Sequence, residues 1–319
     1  MVLVAGRGRE CAREAIFQVL SDYFKVGSEI IVIEVGPDNK TKIKKVLKRA
    51  SLAVLVVTNF GQIPLDKDFF AGEKKEVKDI LQLAKNLSIQ SWLVLNFDDE
   101  TVREIDDETN LNTLTFGFQE GADFAASDIH LNSGTNFKIN YKGNIIPCWL
   151  KGIFGKEQVY SALSAACVAT IFDLNLVEVS QSLKKYRSLP GKMRLVEWKK
   201  GIELLDNSKG DNIFSLVEAL DVLAGLEGFK RKIAVLGQVQ GIEKYIPKAY
   251  QSIGERAAEK ADLLFLFGPE AKFIAQGAAR KGFDLEKIKQ YDIIEQLKKD
   301  FEKETKKGDI ILLNAPLAL

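Results

Sequence analysis

The residues best placed to do chemistry stand at the ends of short apolar runs. The stretch "VLVAGRGRECARE", residues 2–14, carries such a run into a turn holding Gly6 and Gly8 and then into a helical pattern, where an α/β nucleotide-binding chain sets its phosphate loop. A working loop needs glycines that let consecutive N–H groups face phosphate oxygens, a lysine for the β and γ phosphates, and a hydroxyl for magnesium. Here Arg9 stands in the lysine's place and Glu10 in the hydroxyl's. A carboxylate there opposes phosphate, although it can ligate a cation. Taken alone, the stretch reads more simply as a tight strand-to-helix turn.

Further candidates recur at the same edge. "VIEVGPDN" brings Glu34, and "VVTNFGQIPLD" brings Thr58 and Asn59, to the carboxyl ends of the next two apolar runs, where α/β sheets bind ligands. Glu34 either holds magnesium or caps the following helix. "GEKKEVKDIL" offers Lys74, Lys75 and Glu76, most simply a solvated helix face. "ELLDNSKGDNIFS" sets Asp206, Asn207, Ser208 and Asn212 in a polar turn that Asx turns and an N-cap explain. The three cysteines, Cys11, Cys148 and Cys167, are scattered and odd in number, which suits buried reduced thiols. His130 is the single histidine, so multi-histidine metal sites are excluded. It lies in "ASDIHLNSG" with no nucleophile motif nearby and reads as a strand-edge side chain.

These residues need elements to position them. Strand-length apolar runs ("MVLVA", "EIIVIEV", "LAVLVVTN", "SWLVLNF") alternate with helical stretches ending near residue 25, at 40–49 and at 73–86, which predicts a mainly parallel sheet with helices on both faces. Residues 111–150 change to short polar-apolar segments broken by "NSG" and "YKGN", read as antiparallel hairpins at one edge. Helical patterns follow at 156–172 and 177–187. After the Pro-Gly pair in "RSLPGKMR" a fresh alternation begins, with helices from residues 211 and 243 and a last strand in "GDIILL". The expected division is therefore residues 1–189 and 190–319, two α/β domains joined near Pro190.

Composition narrows the classes. At 319 residues and 46% hydrophobic the chain can bury a core in each domain. Lys plus Arg (45) and Asp plus Glu (44) nearly cancel and form no basic stripe, so nucleic acid is not an expected partner. No apolar run reaches the roughly 18 to 20 residues of a membrane span, and no signal pattern opens the chain; a cytoplasmic protein is expected. A dinucleotide site lacks its G-x-G-x-x-G fingerprint.

In order along the chain, "IEVG", "TNFGQIPLD", "EKKEVKDIL", "VLNFDDETV", "TFGFQEGADFAASDI", "VYSALSAACVA", "LPGKMRL", "LLDNSKGDNIFS", "VLGQV" and "GDIILL" resemble the Mur ligases. These are the ATP-dependent amide ligases of peptidoglycan precursor synthesis, and the likeness is greatest to their D-alanyl-D-alanine-adding members. The resemblance implies a central ATPase-type parallel-sheet domain with a hairpin edge, followed by a Rossmann-like C-terminal domain. It implies roles for Glu34 (magnesium), Lys74 (the lysine carbamylated in the family), and Arg194, Asp206, Asn212 and Ser215. Gly6, Gly8, Arg9 and Asn59 fall along the nucleotide site, and Glu10 becomes a second candidate metal ligand.

The departures from the family pattern are as informative. The chain starts at the phosphate-loop strand, so the family's UDP-sugar-gripping N-terminal domain is expected to be absent. Glycine-lysine-threonine has become Gly8-Arg9-Glu10, and a metal-binding histidine falls on Pro64. A histidine and two asparagines near the base fall on Glu157, Gln158 and Ser161; the "LGDM" aspartate is Gln238; and the terminal lysine-glycine-serine-arginine stretch is Asn314, Ala315, Pro316 and Leu317. Phosphoryl transfer rests on positioning and charge stabilisation, and one lost stabilising group costs roughly 10² to 10³ in rate. The expectation is a homologue with little ligase activity that binds ATP and Mg weakly if at all. Such a chain acts as a binding or regulatory partner of a complete Mur ligase or another cell-wall precursor enzyme. The alternative is a divergent ATP-dependent ligase that uses Arg9 on the phosphates and Glu34 and Glu10 on magnesium.

Overall fold

The computed structural model describes residues 1–24, 30–36, 40–48, 50–60, 74–199, 201–210, 212–239, 242 and 245–315. The first apolar runs form β1 (Val2–Ala5), β2 (Val32–Glu34), β3 (Val54–Val57) and β4 (Trp92–Asn96), all parallel. Between them run α1 (Arg9–Tyr23), α2 (Lys40–Leu47) and α3 (Lys74–Lys85). Their side chains divide by parity. Val2, Val4, Val54 and Val56 enter one core with α1, whereas Leu3, Ala5, Leu55 and Val57 enter a second core on the opposite face. A strand buried on both faces has no polar side to show, which is why these runs are continuously apolar.

Residues 124–151 form the expected antiparallel hairpins at the sheet edge, turning at "NSG" and "YKGN", whereas the strand before them departs from the expectation. After α4 (Glu100–Asp107), β5 (Asn112–Gly117) pairs parallel with β4, and β6 (Phe124–Leu131) pairs parallel with β5. Only β7 (Gly134–Tyr141) and β8 (Asn144–Lys151) add antiparallel pairs. The sheet order is β2-β1-β3-β4-β5-β6-β7-β8 among the described residues. The expectation is wrong for β5 alone, because α4, whose "ETVREIDD" buries just Val102 and Ile105, leaves little sequence sign of the crossover that lets β5 run parallel. From β5 onward the buried residues, including Phe116, Phe124, Phe137, Ile139 and Cys148, belong to the one core under α5 (Lys156–Ile171) and α6 (Leu176–Lys185). The other face carries Asn136, Lys138 and Asn140 of β7, which gives that strand its alternation, and Ile145, Pro147 and Trp149 of β8.

A second sheet begins after Pro190, in the order β13-β12-β11-β14-β10-β9. Its strands are β9 (Arg194–Glu197), β10 (Glu203–Asp206), β11 (Arg231–Leu236), β12 (Leu263–Phe267), β13 (Ile288–Tyr291) and β14 (Asp309–Asn314). All pairs are parallel except the edge pair β9–β10. Helices α7 (Ile213–Gly225), α8 (Ile246–Lys260) and α9 (Ala271–Arg280) cover one face, and α10 (Ile294–Glu304) packs with Phe265 and Tyr291 on the other. α7 and α8 start two or three residues later than expected, and the four-residue β13 lay unread between two helices. The units meet where Phe154 N donates to Met193 O (3.0 Å) and Leu195 N to Gly152 O (2.9 Å).

Candidate functional site

The site begins with the loop from β1 to α1. Gly6 (φ +91°) and Gly8 (φ +75°) adopt left-handed backbone, and a Cβ on Gly6 would stand 2.6 Å from the Asn59 carbonyl oxygen. That closeness has a function: Arg7 N donates to Asn59 O (2.7 Å), and Thr58 Oγ1 to Ala5 O (2.9 Å), which fastens the loop to the end of β3.

Arg9 and Arg13, in the first turns of α1, are turned on nearby carboxylates. The Arg9 guanidinium donates back to its own loop at Gly6 O (3.2 Å) and lies 3.5 Å from Glu76 and 4.0 Å from Glu34. Arg13 holds the other Glu34 oxygen at 2.7 Å. The carboxylate expected to take magnesium is therefore already neutralised by two guanidinium groups. Glu10, the other expected ligand, is exposed in the first turn of α1. Among the described residues no group of three or more His, Cys, Asp or Glu is arranged to hold a metal ion. Glu157 lies against the loop from the far side, its Cγ 3.0 Å and its Oε1 3.2 Å from a Cβ built on Gly8. An internal carboxylate thus stands beside the glycine that would face phosphate, and the residues present do not fit a magnesium nucleotide at this loop.

A cleft of about 780 Å³ opens in front of the loop and between the units. It lies at the carboxyl ends of β1, β3 and β4, beside the β1 switch point of the sheet, the position expected for ligand binding in α/β folds. Asp98 anchors its floor. It accepts from Phe118 N (2.7 Å), Gln119 N (3.0 Å) and the Tyr160 hydroxyl (2.7 Å), and burial together with that carboxylate pushes the Tyr160 phenol well above its ordinary range. Asp99 caps α4 through Thr101 N (3.0 Å) and also accepts from Phe60 N (2.7 Å). The opposite wall is α7, from which Glu218 accepts the Lys156 N–H at the start of α5. Burial raises the Glu218 carboxyl to about 7.

The other expected residues are placed as follows. Asp206 accepts from Gly191 N (2.8 Å) and Ser208 N (3.2 Å), holding the Pro-Gly turn between the units. Asn212 caps α7 through Ser215 N (3.0 Å) and lines the cleft, as does Ser215. Arg194 lies on β9 with its buried Nε unsatisfied. Lys74 is the first residue of α3, its side chain outside the described residues, as is Pro64. Asn59 and Asn212 share the cleft; Gly6, Gly8, Arg9 and Glu34 cluster at the loop; Asp206 and Arg194 stand at the inter-unit turn. Gln158 is buried and donates to Ser188 Oγ (3.2 Å) and Lys192 O (3.2 Å). All three thiols are buried and raised by burial, as expected of structural cysteines. His130 is exposed on β6.

Glu218, Arg7, Tyr160 and Asp98 were not singled out from the sequence. Glu218 and Asp221 are the acidic residues of an otherwise apolar helix, "IFSLVEALDVLAG", and that contrast was the available signal. Tyr160 and Asp98 carry none, because their meeting depends on how α5 packs against β4 and β5.

Residues 15–169 match the Mur ligase middle domain, and residues 191–316 match the Mur ligase, glutamate ligase domain. The chain is similar to UDP-N-acetylmuramoyl-tripeptide–D-alanyl-D-alanine ligase of Bacillus subtilis, 23% identical over 293 residues that cover 90% of this chain and 62% of that relative. It therefore spans less than two thirds of that relative's length. Among solved structures, MurF ligase from Thermotoga maritima, in complex with ADP, superposes with a TM-score of 0.76 at 21% identity, over 99% of this chain and 76% of its own. A pseudomurein peptide ligase type C from Methanothermus fervidus gives 0.66 at 18% identity, over 98% and 75%. With both domain matches falling in chain order on the two sheets described above, the chain belongs to the Mur ligase family.

Proposed function

We propose that this chain is a homologue of the D-alanyl-D-alanine-adding Mur ligases that keeps their scaffold, in units 1–189 and 190–319, and has lost most ATP-dependent ligase turnover. It acts as a binding or regulatory protein in cell-wall precursor metabolism, in the cytoplasm, with a complete Mur ligase or another precursor enzyme as its partner. One observation carries the reading: Glu34 is held between Arg13 (2.7 Å) and Arg9 (4.0 Å). A magnesium ion at Glu34 would have to displace guanidinium groups, and a triphosphate would approach past Glu157 and Glu10. Both costs oppose ATP.

The Mg-ATP dissociation constant is expected in or above the high micromolar range, about −5 kcal/mol or weaker. Titration calorimetry checks this, and low-micromolar magnesium-dependent binding would favour a divergent active ligase. Turnover is checked by phosphate release with ATP, D-alanyl-D-alanine and a UDP-muramyl tripeptide. Robust substrate-dependent release overturns the proposal.

A further inference from the structure

Two cations stand at one end of the cleft without a carboxylate to neutralise them. Arg7 and Lys156 both line it, and among the described residues neither makes an ion pair. Their chain neighbours touch, with Glu157 Cγ 3.0 Å from a Cβ built on Gly8, which sets both cations at the same end. Arg7 is fixed through its backbone, which donates to Asn59 O (2.7 Å) and accepts from the Thr58 hydroxyl. The Lys156 ammonium lies over the Phe118 ring, 5.6 Å from its centre. The carboxylates of the same cleft are held by other donors. Asp98 accepts from two backbone amides and the Tyr160 hydroxyl, Asp99 caps α4, and Glu218 accepts the Lys156 N–H. Glu157 is turned to Gly8, and Asp221 pairs with Arg256 (2.8 Å) and Lys260 (3.7 Å), which neutralises Arg256 in turn.

From this end the cleft runs along α7, whose residues 218, 222 and 225 share one face of the helix. It ends against β6, where Leu131 comes within 3.6 Å of a Cβ built on Gly225, beside the exposed Ile129. Glu218 to Gly225 is about 10 Å of helix. Over that length the lining is mainly apolar, with Val217 and Val222 on one side and Ile129 and Leu131 on the other. We propose that the cleft binds, without a metal ion, a small organic anion: a carboxylate or phosphate monoester whose charged end pairs with Arg7 and Lys156 and whose apolar body lies along this wall. The proposal deepens the proposed function by naming the ligand class of the cleft, and it rests on the reading of that cleft as a binding site rather than a turnover site.

The chemistry of the two ends sets the class. A guanidinium meets a carboxylate or phosphate through two parallel hydrogen bonds, and an ammonium adds a point charge beside it. Together they neutralise one or two negative charges with no metal. A triphosphate carries more charge than they supply and would also face Glu157. A cationic ligand finds no open carboxylate, because Asp98, Asp99, Glu218 and Asp221 already accept from the fold. The apolar wall adds affinity for a hydrocarbon or aromatic body and none for a bare ion.

Titration calorimetry in the presence of EDTA tests this with matched probes. 4-Phenylbutyrate and phenyl phosphate should bind at about millimolar dissociation constants or tighter. 4-Phenylbutylamine, the same body with an ammonium, and acetate, a carboxylate with almost no body, should each bind at least about tenfold more weakly than 4-phenylbutyrate. Arg7→Gln and Lys156→Gln should each weaken 4-phenylbutyrate about tenfold, whereas Lys156→Arg should keep most of the affinity. Ile129→Asn, at an exposed position, should weaken it several-fold through the body alone. Lys156 is exposed, so its variants serve also if Arg7→Gln fails to fold. No binding of either anion, equal binding of the amine, affinity indifferent to Lys156→Gln, or a requirement for magnesium overturns the proposal. Phosphate release with ATP, recorded on the same preparation, separates the two readings. Turnover together with anion binding through Arg7 and Lys156 would overturn the loss of activity alone, and absent turnover with no anion binding would overturn the ligand class alone.

Discussion

At the residue scale, the charges around the β1–α1 turn limit what it can bind. Arg9 presents a guanidinium where an ammonium would reach phosphate, and it spends two of its contacts on Gly6 O and Glu76. Arg9→Lys with Glu10→Thr returns an ammonium and a magnesium-ligating hydroxyl to a turn that still has Gly6 and Gly8. Calorimetry should then detect Mg-ATP binding at least several-fold tighter than in the native chain, with turnover still absent because the turn at residues 206–215 is unchanged. Failure of the double variant to bind would place the defect in the Glu157 carboxylate and the loop backbone as well. Glu218 supplies a second prediction. Its folded-state carboxyl is raised to about 7 against 4.5 when exposed, so the folded chain binds more protons in that window and loses stability as pH rises through it. Glu218→Gln should leave urea stability unchanged near pH 4 and increase it near pH 8, by at most about 3 kcal/mol and by less where cleft water screens the charge. A variant that is less stable than the native chain at pH 8 would contradict this sign.

At the element scale, the site depends on helices packed closely enough to set its walls. α1 and α5 pack against each other with Ala12, Ala15, Ala162, Ala165 and Ala166 buried in the shared core, and the start of α5, with Glu157, lies on the β1–α1 loop. Ala166→Leu should overfill this contact and cost about 1 to 3 kcal/mol in chemical denaturation. Asp99 links two elements, capping α4 and accepting from Phe60 N beyond β3. Asp99→Ala leaves a buried amide without its acceptor as well as an uncapped helix, so a loss of about 2 to 3 kcal/mol is expected, more than a surface cap would give. Asp99→Asn keeps one acceptor oxygen and should recover part of it. The strands flanking the site were legible because two-sided burial leaves a continuous apolar run. α4 was not, since a helix that buries two residues leaves little periodic trace, and β5 was consequently assigned the wrong direction.

At the scale of the whole molecule, two sheets are joined by backbone bonds, by the Gln158–Lys192 and Glu218–Lys156 contacts, and by Phe154 of the first unit, which is buried in a core of the second. Unfolding is expected to depart from a single two-state transition, with a calorimetric enthalpy larger than the van't Hoff enthalpy. Coincidence of the two would mean that the units unfold as one. The restart of strand-helix alternation after the Pro-Gly pair announced the second sheet, and the family match resumes at residue 191.

Strand positions, the α/β class, the restart after Pro190, the buried thiols and the altered loop residues all follow from the sequence alone, because apolar periodicity and residue type are local quantities. The pairing of Glu34 with Arg13 and Arg9, the approach of Glu157 to Gly8, and the contact of Glu218 with Lys156 join residues 21, 149 and 62 positions apart (Arg13 to Glu34, Gly8 to Glu157, Lys156 to Glu218). No local pattern encodes which charge neutralises which across such separations. Packing of α1 on α5, and of the second sheet's α7 across the cleft, determines it, and that is why the sequence shows which residue types the loop carries while the folded structure alone shows which of them meet.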